Sequence, residues 1–254
     1  MRERSLRVSR LLPLLLLSLF PAPGFPGTGP AAPSAAPSAE LEYIYPDQSV
    51  WTTRLDAAGD PLNPQLEFAA ALLERAGLSW RGRGYPAARM FARLGEGANQ
   101  FSILVKSPAL AACCLLSRKP VTATELRVYR KAGTPPVRRR EDLAGKTVIT
   151  IRGYSYGGLL DFINEPGNRI FHSATARHES AFAMLAAGRG DYLLDYSGPA
   201  AEVLADHPVA GLDSEPLQRL DIHLVLSRRY PDAPAVMERL EAIAETLSAE
   251  GMRP

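Results

Sequence analysis

Apolar residues fall along this chain in two alternating rhythms, short compact runs and longer stretches at helical spacing. Residues 41–45 form such a run, end at Pro46-Asp47 and predict a strand. A loop carrying Trp51 and a Gly59-Asp60-Pro61 turn follows, and Asn63 then stands as an N-cap before Pro64. Leu66, Ala69, Ala70 and Leu73 share one helical face, and Gly77 closes the helix. A second strand is predicted over 78–81. A second helix opens at Pro86, with Met90, Phe91 and Leu94 inside and Gly95 at its end. Further strands are predicted over 101–105 and 125–130.

Residues 131–140, with Pro135-Pro136 and three arginines, read as a connector, after which the same rhythm resumes. Residues 147–151 are a β-branched strand, broken by Gly153-Tyr154-Ser155-Tyr156-Gly157-Gly158. Leu159, Leu160, Phe162 and Ile163 then continue at helical spacing. A strand over 169–172, a helix over 179–187 ended by Gly188, and a strand over 191–196 come next. Ser197-Gly198-Pro199 opens a helix to 206, residues 221–226 form the last strand, and 234–249 an amphipathic helix. Strands separated by helices predict an α/β fold, with mostly parallel sheets and helices on both faces. The small-residue turn at 153–158, between a strand and a helix N-terminus, offers free N–H groups to an anion or polar ligand.

At 254 residues the chain is long enough for one large domain or two small ones. The net charge of +2 misleads: residues 1–39 hold Arg2, Arg4, Arg7 and Arg10 against Glu3, so 40–254 carry 2 − 3 = −1. That balance excludes a nucleic-acid binder. The arginines precede an apolar core over 11–20, interrupted by Pro13 and Ser18, and a Pro/Ala/Gly/Ser tract to Ala39. Too short to span a bilayer, this leader over 1–39 predicts a secretory signal peptide and a periplasmic protein. An uncleaved anchor is the alternative. His172, His178, His207 and His223 lack metal spacing, so neither metal nor cofactor is expected. Cys113 and Cys114 are adjacent, with Cα atoms ~3.8 Å apart, below the usual disulfide range, and read as two small buried residues.

Three features taken in order resemble the bacterial extracellular solute-binding proteins of family 3, the amino-acid-binding type. They are Asp142 to Val148 with the Gly153-Tyr154-Ser155 turn, Leu185 to Asp191, and the closing strand and helix over 221–251. The resemblance covers about 40–251. It implies a two-lobe, type 2 periplasmic-binding-protein fold, with lobe 1 over 40–130 plus 217–254, lobe 2 over 131–216, and a hinge between them. It further implies a non-enzymatic monomer that captures a small polar molecule in the inter-lobe cleft and delivers it to a membrane ABC transporter permease.

On that pattern the ligand-binding residues are Trp51, Lys106, Ser107, Arg152, Gly153, Tyr154, Ser155, Tyr156, Asp195 and Tyr196. Trp51, Tyr154, Tyr156 and Tyr196 would supply aromatic walls, while Tyr45 reads as core. Ser155 would offer its hydroxyl and N–H, and Lys106 or Arg152 a positive charge. Asp195 would accept a ligand hydrogen bond or else hold the hinge. The chain departs from the family in three places. Pro61-Leu62-Asn63-Pro64 replaces a Gly-Phe-Asp helix start, and Pro46-Asp47 matches the ammonium-binding aspartate only approximately. Leu110, in Ser107-Pro108-Ala109-Leu110, stands where the family's carboxylate-clamping arginine falls. No planar fork replaces that arginine, so a free α-amino acid is not the expected ligand.

Two rival readings remain. Gly153-Tyr154-Ser155-Tyr156-Gly157 fits the Gly-x-Ser-x-Gly nucleophile elbow of a serine hydrolase. Asp191, Asp195 or Asp206 and then His207 or His223 would follow in chain order. No His-Gly oxyanion motif precedes the elbow, and the connector at 131–140 would split a hydrolase sheet. The other rival is a sensor or docking protein that keeps the fold without a ligand.

Overall fold

The computed structural model describes residues 40–47, 57 and 63–254. The leader over 1–39, the Gly59-Asp60-Pro61 turn and Trp51 lie outside them. Strand β1 (Leu41–Pro46) leads to α1 (Pro64–Arg75), which starts as its sequence dictates. The Asn63 side chain accepts the Gln65 N–H at 3.0 Å, Pro64 occupies the first turn, and Phe68, Ala69, Leu72 and Leu73 are buried. Strand β2 (Trp80–Tyr85) lies later than 78–81. It is an edge strand paired in parallel with β1; its arginines face water while its glycines lie against Tyr45, Leu66 and Asp47, a composition the apolar pattern passes over.

Helix α2 (Ala87–Glu96) buries Met90 and Leu94 and ends at Gly97, φ 71°. After β3 (Phe101–Val105) come two elements not foreseen, the one-and-a-half-turn helix α3 (Pro108–Cys113) and β4 (Cys114–Leu116). Both are too short to show a period. Strand β5 (Thr122–Lys131) extends beyond 125–130, because Thr122 and Thr124 pair with β9 despite their polarity. The second half holds β6 (Thr147–Ile151), α4 (Leu159–Asn164) and β7 (Phe171–Thr175). It continues through α5 (His178–Ala186), β8 (Tyr192–Tyr196) and α6 (Ser197–Asp206). Strand β9 (Leu212–Ser227) and α7 (Ala233–Ala249) close the chain.

The sheet order is β2-β1-β3-β9-β5-β8-β6-β7, with β4 also on β9. Pairing is parallel towards both ends, β2/β1/β3 and β8/β6/β7, and antiparallel where β9 and β5 cross the middle. The 16-residue β9 is far longer than the 221–226 expected. Its second half pairs with β3 and β4 and its first half with β5, so it belongs to both lobes. The β5–β9 register slips between Leu126 and Arg127, a bulge that bends the paired strands.

Strand alternation sorts the apolar side chains into separate cores. Tyr43, Phe101, Leu224 and Leu226 face α1 and α7, whereas Ile44, Leu104 and Val225 face α2 and α3. Val148, Ile149, Leu193 and Leu194 build the third core, under Ile163, Phe182 and Val203 of α4, α5 and α6. The result is a mixed α/β protein of two lobes joined through β5 and β9.

Candidate ligand cleft

Where the two lobes face each other the chain encloses a cleft of about 330 Å³, inside the range of ~300–1,000 Å³ typical of small-molecule sites. One wall comes from Met90 and Phe91 of α2, Ile103 to Val105 of β3, and Ile222 of β9. The facing wall is made by Tyr154, Ser155 and Tyr196. The Tyr154 and Tyr196 rings stack with centroids 5.5 Å apart and planes 18° apart. Polar side chains reach the cleft as neutral hydroxyls and amides: Asn63 and Gln65 at the start of α1, Thr122 and Thr124 on β5, and Ser197 on α6, and Pro254 also borders it. Among the described lining residues no side chain is charged.

Of the residues singled out in the sequence, Tyr154, Ser155 and Tyr196 therefore line the cleft together. The other described ones lie outside the lining. Lys106 and Arg152 are exposed outside the lining, and the Arg152 guanidinium donates to the Ala174 carbonyl at 3.5 Å. Ser107 is buried as the N-cap of α3, its hydroxyl accepting the Leu110 N–H at 3.5 Å. Tyr156 is wholly buried, and its hydroxyl accepts the Ile151 N–H at 2.7 Å. Tyr45 is core, as read, and Trp51 lies outside the described residues.

Gly153 serves by having no side chain. At φ 84°, a conformation that disfavours a side chain, a Cβ there would stand 2.6 Å from the Ala88 backbone nitrogen. The turn after β6 thus abuts the first turn of α2, so the two lobes touch beside the cleft.

Asp195 points away from the cleft. It is wholly buried, and its carboxylate takes the His178 Nδ1–H, with Oδ1 and Oδ2 at 2.9 and 2.7 Å, and the Tyr196 N–H at 2.8 Å. His178 Nε2 lies 3.2 Å from the Tyr154 hydroxyl. Burial opposes the imidazolium, but the charge and hydrogen bonds of Asp195 outweigh it and hold the His178 pKa above its usual value. When protonated, the ring donates from both nitrogens, to Asp195 and to Tyr154. Burial first, then the Asp195 charge, pushes up the pKa of the Tyr129, Tyr154, Tyr156 and Tyr196 hydroxyls, which stay protonated. A rigid Asp–His–Tyr chain thus backs the aromatic wall of the cleft.

That chain also occupies the geometry a hydrolase would need, with the tyrosine where the nucleophile would stand. The imidazole paired with a buried carboxylate meets Tyr154, not Ser155. His223 is bonded to the Ser117 carbonyl at 2.8 Å, and His207 is exposed at the end of α6. Sequence reasoning missed His178, which stands 17 positions from Asp195 with no spacing to connect them. The Thr122-x-Thr124 alternation was a readable signal, because residues two apart on a strand face the same side.

No family model and no curated protein sequence matches the chain. Solved structures do. A histidine kinase sensor domain described as similar to periplasmic binding proteins superposes with a TM-score of 0.70 at 19% identity, covering 85% of this chain and 92% of its own. An ancestral arginine-binding protein bound to arginine gives 0.70 at 15% identity, over 85% of this chain and 96% of its own. The amino acid ABC transporter substrate-binding protein AbpA of Streptococcus pneumoniae, bound to L-arginine, gives 0.66 at 14% identity, over 84% and 90%. Likeness of shape at such low identity establishes architecture, and the chain has the two-lobe, type 2 fold of the periplasmic binding proteins.

Proposed function

We propose that this protein is a non-enzymatic solute-binding protein that takes a small, uncharged molecule into the inter-lobe cleft. The observation that carries this reading is a lining of apolar walls and neutral hydroxyls and amides, with no charged side chain among the described residues. A zwitterion entering such a cleft would lose its hydration with no charged side chain among the described lining residues to pair with, a cost far above that of burying a hydrogen-bonded neutral group. Leu110 supports the same conclusion: it stands where the resembled family carries its carboxylate-binding arginine and is buried in the core behind α2. The stacked Tyr154 and Tyr196 would cover a flat apolar face of the ligand, and Thr122, Thr124, Ser155 and Ser197 would take its hydrogen bonds. Lobe 1 over 40–130 plus 217–254 would close on lobe 2 over 131–216 by bending at the β5–β9 bulge.

In this reading the protein is an exported periplasmic monomer that hands its ligand to a membrane ABC transporter permease. Support comes from the leader composition and from neighbours described as substrate-binding proteins of amino acid ABC transporters. No helix among the described residues is long and apolar enough to cross a membrane. A sensor role without transport is the second reading, favoured by the likeness to a histidine kinase sensor domain.

A thermal-shift screen tests the uncharged-ligand reading. At ~100 times its dissociation constant a ligand adds ~2.7 kcal/mol of apparent stability. A shift with uncharged compounds, lost in Tyr196→Ala, is expected, without p-nitrophenyl ester turnover. Shifts confined to charged amino acids, or ester turnover abolished by Ser155→Ala, would overturn the reading.

A further inference from the structure

We infer that Cys113 and Cys114 form a redox-convertible pair, which a small-molecule disulfide such as oxidised glutathione closes into a disulfide between the two neighbours. The inference is independent of what the cleft binds. Cys113 ends α3 and Cys114 begins β4, and both thiols are free. The helix-to-strand change between them brings the two sulfurs to 2.7 Å, inside van der Waals contact, although adjacent side chains on a strand point to opposite faces. The pair is also held from both sides. The Cys113 thiol reaches the Leu110 carbonyl at 3.6 Å, and Arg228 donates to the Ala111 carbonyl at 3.3 Å. Cys114 pairs with Ser227 in the β4–β9 ladder.

The two thiols differ in a way that orders the reaction. Cys113 is half-buried, whereas Cys114 is wholly buried against Leu110, Leu104 and Met90, and burial pushes its pKa up to about 12. The Cys113 thiolate therefore attacks first, breaking the glutathione disulfide and releasing one glutathione thiolate. Cys114 then gives up its proton and attacks the Cys113 sulfur, expelling the second glutathione. Two cysteine thiols lose two electrons and two protons, and one glutathione disulfide becomes two glutathione thiols. Neighbouring Cα atoms lie at ~3.8 Å, short of the usual ~4.4–6.8 Å for a bridged pair, so the bond is strained and readily reversed by a thiol. Cys114 packs with Met90 and Leu104, which also line the cleft, so the pair lies one packing layer from the ligand site.

The test treats the purified protein with oxidised glutathione, alkylates the remaining thiols and maps the peptides by mass spectrometry. The expected product is a monomer whose peptide carrying both cysteines has lost two hydrogens, bears no alkyl group, and regains both alkylation sites after reduced glutathione. Two variants test the order of attack. Cys114→Ser should trap a glutathione adduct on Cys113, and Cys113→Ser should take up none. Full alkylation of both cysteines after the oxidant would overturn the inference. So would a lasting adduct on Cys113 in the unmodified chain, a disulfide-linked dimer, or glutathionylation of Cys114 in Cys113→Ser.

Discussion

Asp195 and His178 are both wholly buried, and each makes the other tolerable: a carboxylate in the core needs a positive partner, and the imidazole needs an acceptor. His178→Ala leaves that carboxylate unpaired, and a loss of about 3–5 kcal/mol in urea unfolding is expected. A loss under about 1 kcal/mol would contradict the ion-pair assignment. The pair also fixes a pH dependence. The folded-state pKa of His178 lies above its unfolded value of ~6.5, so its contribution is complete below that value and disappears as pH rises through the folded pKa. Stability should be lower at about pH 9 than at about pH 6, and His178→Ala should flatten that difference. Tyr43 makes the opposite case. Its hydroxyl is buried with no hydrogen-bond partner among the described residues while its ring packs on Tyr45 and Phe101, so Tyr43→Phe should be neutral or raise stability by about 1 kcal/mol. Denaturant midpoints check it. At this scale the sequence marked Asp195 as polar at a strand end, but His178 reaches it only because α5 packs on β8, a tertiary fact without a local pattern.

Elements with strong local signals were legible. Helix α1 combines a cap, a first-turn proline and an apolar face, and Asn63→Ala should cost about 1 kcal/mol of stability by calorimetry. That change also strips a polar group from the cleft. The strand–turn–helix at 147–163 was read correctly in outline, and its glycine has a packing role the sequence did not show. Gly153, expected at the ligand, also lets β6 and α4 approach α2. Gly153→Ala places a methyl group against the Ala88 backbone at a positive φ, so the lobes must separate there. We expect ligand affinity to fall at least about tenfold, equivalent to ~1.4 kcal/mol in a titration. Unchanged affinity would mean that this contact does not govern closure. The short α3 and β4, and the polar halves of β5 and β9, were illegible because their place depends on pairing across the hinge.

On the scale of the whole molecule, the order of strands and helices carried the α/β class and the family resemblance the two-lobe architecture, and the missing arginine at Leu110 already argued against a free amino acid. The neutral character of the cleft was not readable, because its lining gathers side chains from α1, α2, β3, β5, β9, α6 and one turn. The charges proposed from sequence, Lys106 and Arg152, lie near it in the chain and outside it in space. The most direct test compares ligands matched in shape and differing in charge. Free α-amino acids are titrated calorimetrically against the same residues blocked as N-acetyl amides. Binding of blocked, uncharged forms, with no heat from the zwitterions, is the predicted result. Binding of the zwitterions, with the blocked forms silent, would contradict the neutral cleft.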